Sequence, residues 1–348
     1  MISNKPIVFL IQLDALSYSY FTSKQTPLLH QFAQNGIKGR LETMLAYDGI
    51  NASIFTGTWP EQNNIWTRYK LAHNWLRRPY FTHSIKPGTF HKHNHYNHQP
   101  TIFGILRQHG LSSGYFFGKI EEVIKHFQNK NNLSKHQFHF IHTLGSLDEK
   151  AHQYGPFHSK TLSHLRQQDK LISQLVKTLP QANFIFFSDH GMAKVTKSLD
   201  IAKFLTQAKT RKTMTVFVDS TMVRVWGNQV DLNFAKNYFK KFKTIKLLTL
   251  SDLKKLKLNF KHNSYGDLIF LAQSGVVFYP DNFNNPQKIK GMHGYPPGLK
   301  DLDGIIVLKG PKIPKKNIKK ACMVDLFPTI LKIFNLPVPV SNAGRSLI

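Results

Sequence analysis

The chain's 348 residues, 41% of them hydrophobic and 27 of them Phe, suffice to bury a sizeable core as one large α/β domain with an insertion, or as two domains. One cysteine, Cys322, excludes an internal disulfide framework and fits a reducing compartment, and no apolar run approaches the ~18 residues of a membrane span. A balance of 47 Lys plus Arg against 19 Asp plus Glu, a formal +28, favours an anionic partner: a phosphorylated substrate, an anionic membrane surface or, on charge alone, nucleic acid. The basic residues are spread along the chain with no dedicated arm or tail, so much of this charge reads as a solvated face.

Met1 to Pro6 lacks the features of a signal peptide and runs straight into an apolar stretch, so a soluble, cytoplasmic protein is the expectation. Ile7 to Leu13 reads as a first strand ending on a carboxylate, Asp14. Thr26 to Gly36, with Pro27 just inside the start and Gly36 just past the end, predicts a short helix. Leu41 to Gly57, followed by Pro60-Glu61, reads as a loop entering a helix whose amino terminus would suit an anion. Residues 66 to 98 are irregular, aromatic and basic. Their alternating His91, His93, His95 and His98 read as an exposed biased loop, since no acidic or cysteine partner accompanies them. Helices are predicted over Pro100 to His109 and Glu121 to Gln128, with strands at Gly114 to Phe117 and Phe138 to Leu144.

From Ser159 to Leu179, Leu162, Leu165, Ile172, Leu175, Val176 and Leu179 recur at helical spacing. Asn183 to Phe187 is then an apolar run that stops on Ser188-Asp189-His190-Gly191, as a strand buried on both faces would. Beyond residue 196 the texture changes: a strand or strand pair at Thr215 to Trp226, a basic amphipathic helix at Phe234 to Phe242, and a strand at Gly266 to Ala272. Gly291-Met292-His293-Gly294-Tyr295 resumes the core, with a last strand at Gly304 to Leu308 and a last helix at Val324 to Phe334. Strand and helix alternate, which predicts an α/β fold with a mostly parallel, helix-covered central sheet built from residues 1–196 and 289–348. Residues 197–288 are expected to form a small inserted α+β subdomain, a cap or lid.

Asp14, the Tyr47-Asp48 loop, Asp148 with His152, Asp189 with His190, and His293 all lie just past predicted strands or in Gly-flanked turns. Ligands of open α/β sheets bind at that edge. Asp148 and His152 stand four apart, so one helical turn puts both on one face. Oxygen and nitrogen donors delivered together suit a borderline divalent metal such as zinc, with manganese as the second choice. The set can divide into two sites of about three protein ligands each, leaving open positions for a substrate oxygen. Two metals roughly 4 Å apart can serve both the attacking and the leaving oxygen of an in-line displacement at phosphorus.

The order and spacing of Asp14, Thr56-Gly57 with Pro60-Glu61, Asp148-x-x-x-His152-x-x-Gly155-Pro156, Ser188-Asp189-His190-Gly191-Met192 and Gly291-x-His293-Gly294-Tyr295 resemble the alkaline phosphatase superfamily, in its type I phosphodiesterase and nucleotide pyrophosphatase branch. The resemblance implies that Asp14, Asp189 and His190 hold one metal and Asp148, His152 and His293 the other. It also implies a nucleophilic Thr or Ser nine residues before the Thr of Thr-Gly, and counting back from Thr56 lands on Tyr47. A phenolate can attack, but its oxygen stands further from the backbone, so Asp48 or a zinc-bound hydroxide are the alternatives. A phosphate-contacting Asn of the branch falls near Arg68, which could clamp a phosphate. Trp66, Tyr69 and the loop after them would then lie over the leaving group.

The function expected is two-metal hydrolysis of a phosphodiester or pyrophosphate bond in a small, nucleotide-like anion. A phospho-group transferase or mutase, or a non-catalytic relative that binds metal and anion, is the alternative, and the oligomeric state does not follow from the sequence. A sulfatase is disfavoured because the loop offers no Cys or Ser in register.

Overall fold

The computed structural model describes residues 5–46, 49–67, 70–72, 75–77, 99–129, 132–133, 135–143, 146–282 and 289–348. A seven-stranded sheet forms its centre, in the spatial order Lys316–Cys322, Ile37–Glu42, Gly304–Lys309, Asn183–Phe187, Val8–Leu13, Phe138–Thr143 and Ser113–Gly118. Val8–Leu13 lies between two parallel neighbours, Phe138–Thr143 and Asn183–Phe187, and every residue of these three strands is buried. That explains why Val8–Ile11 and Phe184–Phe187 are apolar without a break: both faces are covered, so no alternation with polar residues is required.

The two faces divide by parity. Val8, Leu10, Phe140, Ile185 and Phe187 pack with Ile54, Phe55, Leu326 and Ile330 on one side. Phe9, Ile11, Phe184 and Phe186 pack on the other with Leu165, Ile172 and Leu175 of the helix Ser159–Thr178 and with Val123 and Phe127 of the helix Ile120–Gln128. Buried Asp169 on the long helix accepts the backbone N–H groups of Leu28 and Leu29 at 2.9 and 2.8 Å, and so caps the short helix Pro27–Phe32 with a carboxylate from another element.

Several elements differ from the sequence expectation. Two strands, Ile37–Glu42 and Lys316–Cys322, lie where none was predicted. Both carry charged residues facing solvent, so neither presents an apolar run. Gly304–Lys309 is not the last strand, and it runs antiparallel to both neighbours. The stretch read as a loop over Leu41 to Gly57 already contains a helix, Ile50–Thr56, which ends where Gly57 adopts a left-handed cap (φ 64°). The basic helix expected over Phe234 to Phe242 spans Gln229–Phe239, because Asn228 accepts the Asp231 N–H at 3.0 Å and starts it earlier.

A smaller antiparallel sheet takes the order Thr215–Asp219, Met222–Trp226, Leu268–Ala272, Ile245–Leu247. Met222, Ile269 and Leu271 face the central core, while Val223, Val225, Phe270 and Ala272 face the helices Ala202–Lys209 and Gln229–Phe239. Arg224 on the core-facing side is fully buried, paired with Asp219 at 2.9 Å and within cation–π reach of Trp66, Phe217 and Trp226. Among the described residues no helix is long and apolar enough to cross a membrane.

Candidate active site

The strands Val8–Leu13, Phe138–Thr143 and Asn183–Phe187 end at a common edge, and each is followed within a few residues by a carboxylate. Asp14 comes directly after the first, Asp189 follows Ser188 after the third, and Asp148 sits in the first turn of the helix Ser146–Tyr154. One turn along that helix, His152 Nε2 lies 3.3 Å from Asp148 Oδ1. His293 follows a two-residue strand, Gly291–Met292, that pairs with Ala193–Lys194 just beyond the Asp189-His190 turn. Short pairings therefore bring a histidine distant in sequence onto the edge that the parallel strands define.

Six residues converge there. His190 Nε2 is 3.4 Å from Asp14 Oδ1 and 3.7 Å from Asp189 Oδ2, and His293 Nε2 is 3.9 Å from Asp148 Oδ1. The His190 and His293 rings stack at 3.7 Å with 6° between their planes, and the His152 ring stands 5.3 Å from His293. The donor atoms form two triads within 4.8 Å: Asp148 with His152 and His293, and Asp14 with Asp148 and His190. The first is the grouping implied by the sequence. In the second, Asp148 stands where Asp189 was expected, and Asp189 lies beside His190 instead.

Backbone carbonyls orient the imidazoles. His152 Nδ1 contacts the Gly291 carbonyl and His190 Nδ1 the Gly191 carbonyl, each at 2.9 Å. A carbonyl can only accept, so in both rings Nδ1 carries a proton and Nε2 is the atom turned toward the carboxylates. Burial pushes the Asp148 carboxyl up, but the facing His152, His293 and His190 imidazoles outweigh it and hold it well below the usual carboxylate range. Burial lowers His152 and Asp148 raises it, for a net rise, whereas His293 is driven well down by burial and by neighbouring His190. Burial is the leading cause that raises Asp189. Charge of both signs is thus concentrated in a space largely withdrawn from water.

Residues that sequence reasoning passed over support this edge. Gln12, almost fully buried on the first strand, donates from Nε2 to Asp189 Oδ2 at 2.8 Å, and its backbone carbonyl accepts from the Thr143 hydroxyl at 2.6 Å. It is the one polar side chain in that strand, which is the signal that could have marked it. Thr43 donates to the Asp189 carbonyl at 2.8 Å, and its own N–H reaches Asp303, which Arg40 pairs. Ser188 donates to the His190 carbonyl at 2.7 Å. Gly191 must be glycine: a Cβ there would sit 2.1 Å from the Asp301 carbonyl oxygen.

Tyr47, Asp48, Arg68 and Tyr69, together with His91, His93, His95 and His98, lie outside the described residues. Trp66, expected to cover a leaving group, is instead fully buried; its indole N–H donates to the Leu45 carbonyl and its ring packs against Tyr265 and Phe260. It has no surface to offer a substrate. The chain enters the helix Ile50–Thr56 through Gly49, where a Cβ would stand 2.0 Å from the Trp66 carbonyl oxygen, so Trp66 anchors the segment immediately after Asp48.

Known proteins bear on this arrangement in three ways. The family described as type I phosphodiesterase / nucleotide pyrophosphatase matches residues 116–296, a stretch that holds Asp148, His152, Asp189, His190 and His293. A curated relative, ectonucleotide pyrophosphatase/phosphodiesterase family member 7 of Rattus norvegicus, is 22% identical over 235 residues, 57% of this chain and 52% of the relative. The chain thus spans about half the length of that relative. Among solved structures, an inactive murine ectonucleotide pyrophosphatase/phosphodiesterase 5 in complex with AMP is 15% identical over 97% of both chains with a TM-score of 0.79. The human protein of the same name is 15% identical, again over 97% of both chains, with a TM-score of 0.78. These structures share the fold. The match covering more than half of the sequence carries the assignment, and the chain belongs to the type I phosphodiesterase / nucleotide pyrophosphatase family.

Proposed function

We propose that the protein hydrolyses a phosphodiester or pyrophosphate bond in a small, nucleotide-like anion, using two divalent cations held by Asp14, Asp148, His152, Asp189, His190 and His293. The observation that carries this reading is the convergence of three carboxylates and three imidazoles on one edge of the sheet, with buried Asp189 Oδ1 accepting no hydrogen bond. A buried carboxylate oxygen left without a donor is costly in a protein alone and fits a cation ligand. The mixed nitrogen and oxygen donor set suits zinc, with manganese next. When bound, such cations supply Lewis-acid polarisation of a phosphoryl oxygen and neutralise charge on the leaving oxygen.

The chain's own residues supply position and exclude water. Gln12 turns one oxygen of Asp189 toward itself and leaves the other for a ligand. The Gly291 and Gly191 carbonyls each take the Nδ1–H of His152 and His190, which leaves Nε2 of both rings as the atom turned toward a ligand. Tyr47 is proposed as the attacking residue and Asp48 as its alternative. The AMP held by the murine relative supports a nucleotide-like substrate, and the excess of lysine and arginine supports an anionic one.

The test is metal content and turnover on one sample: zinc and manganese per chain, with initial rates on bis-p-nitrophenyl phosphate and p-nitrophenyl phosphate. About two metals and faster diester hydrolysis is the expected result. No metal would overturn the ligand set, and metal without turnover on either compound would overturn the hydrolytic reading. Tyr47→Phe then tests the nucleophile: lost turnover supports the phenol, and retained turnover assigns attack to another oxygen.

A further inference from the structure

The excess positive charge is not used up by an active site built of carboxylates and imidazoles, and it is not evenly spread. Residues 236–261 hold nine lysines and a single acidic residue, Asp252. They run from the end of the helix Gln229–Phe239 through the strand Ile245–Leu247 and the helix Leu250–Lys255. Ile245–Leu247 is the outer strand of the smaller sheet, bonded on one side only, to Leu268–Ala272. Lys236, Lys240, Lys241, Lys243, Lys246 and Lys254 are all exposed around this edge. Asp252 is already engaged, by Lys246 at 2.6 Å and by the Thr249 cap, so it leaves the remaining lysines uncompensated.

Two further features separate this edge from an ordinary solvated basic face. A cavity of about 250 Å³ opens beside the strand, with Phe239, Phe270, Ile245 and Leu247 as apolar walls and Lys236 and Lys240 at its rim. Leu250, three residues past the strand, is 59% exposed in the middle of the lysines. A ligand matched to both features pairs phosphate groups with hydrocarbon. Stacking against nucleic-acid bases is poorly served here, because none of the segment's aromatic rings is exposed: Phe239 is buried, Phe260 is half-buried, and Tyr238 and Phe242 are half-buried beneath Lys241 Nζ at 3.9 and 5.1 Å.

We propose that this edge of the smaller sheet docks on a bilayer surface rich in anionic lipid. The lysines take headgroup phosphates, Leu250 enters the boundary between headgroups and acyl chains, and the cavity between Phe239 and Phe270 receives methylenes of a lipid chain. Docking of this kind is independent of the catalytic reading, since none of these residues belongs to the carboxylate and imidazole set.

The full chain is sedimented with vesicles of phosphatidylcholine alone and with vesicles containing about one third phosphatidylserine. Binding to the second and not the first is expected. Changing Lys236, Lys240 and Lys243 together to Ala should weaken it about a hundredfold, at roughly tenfold or less per lysine. Leu250→Ser should cause a smaller loss that persists at high salt. A charge-matched control, Lys315→Ala with Lys316→Ala and Lys319→Ala on or beside the outer strand of the central sheet, should keep nearly all the binding.

No binding to anionic vesicles, or an equal loss in the control, would overturn the proposal. So would binding to single-stranded DNA that the three edge lysines abolish, combined with vesicle binding indifferent to Leu250→Ser. Turnover of bis-p-nitrophenyl phosphate and an unchanged melting temperature report folding of each variant. Should the triple variant melt early, the Leu250→Ser result at high salt decides.

Discussion

Histidines meet two different surroundings along the same strand, at its carboxyl end and within it, and they behave in opposite ways. At the strand's carboxyl end His152, His190 and His293 face three carboxylates. Within the strand Phe138–Thr143, His139 is 3% exposed and stacks on Phe9 at 4.6 Å with Phe127 edge-on at 5.0 Å. Burial pushes His139 down to about 4, with His136 adding to the fall, whereas Asp148 lifts His152 against its burial. Residue type is shared, and desolvation acts downward on His139 and His152 alike. The partner decides: a carboxylate makes an imidazole part of a charged cluster, and a phenyl ring makes it a flat core residue.

The sharpest way to break this contrast is to remove the carboxylate common to both triads. Asp148→Asn should lower turnover of bis-p-nitrophenyl phosphate about a thousandfold, since a charge-stabilising contribution of several kcal/mol is lost. Metal per chain should fall with it. Turnover at the wild-type level would show that the carboxylate edge is not where chemistry happens.

The core histidine yields the next largest effect, on stability. The unfolded chain takes up a proton on His139 as pH falls through about 6.5, while the folded chain resists until about 4. Stability contributed by this group is therefore complete above about 6.5 and declines toward pH 4, by about 3 kcal/mol in all. Urea unfolding of metal-free wild type and His139→Phe at neutral and acid pH measures it. The variant should lose less stability on acidification, and an identical loss in both would contradict a neutral, desolvated His139.

Gln12→Leu should weaken zinc binding about 10–100-fold, as changes to groups that orient metal ligands do, with little change in melting temperature of the metal-free protein. Competition with a chromophoric chelator reads this directly. Equal zinc affinity in the two proteins would reduce Gln12 to a packing residue. An effect of similar size is expected from chelation alone: removal of metal should destabilise the fold by an amount that depends on free zinc beforehand, about 2.7 kcal/mol per site at a hundred times the dissociation constant, read as a lowered melting temperature. The pH response of His139 should survive that treatment, since the ring sits among Phe9 and Phe127 and not among the carboxylates.

Much of this architecture was legible from local pattern. The runs at Ile7 to Leu13 and Asn183 to Phe187 announced strands covered on both faces, and each ended on a carboxylate that does stand at the sheet edge. Asp148 and His152 needed only helical spacing to be placed together. Ile37–Glu42 and Lys316–Cys322 were not legible, because strands at or next to the sheet's edge, with one face partly wet, mix Lys, Arg and Glu with their apolar residues and resemble a loop. Trp66 misled for a related reason: an aromatic in a basic, irregular stretch looks like a substrate contact until Tyr265 and Phe260 are seen to enclose it.

The sequence by itself determined the alternation of strand and helix, the strands at the centre and the polar residues that end them, because periodicity and turn chemistry act over a few neighbouring residues. It took the tertiary structure to show that Gln12 reaches Asp189, that His293 stacks on His190, that Asp148 belongs to both triads, and that Lys236 and Lys240 rim a cavity walled by Phe239, Phe270, Ile245 and Leu247. Those contacts join residues far apart in the chain. They depend on which strands pair and in what register, and no local pattern carries that information.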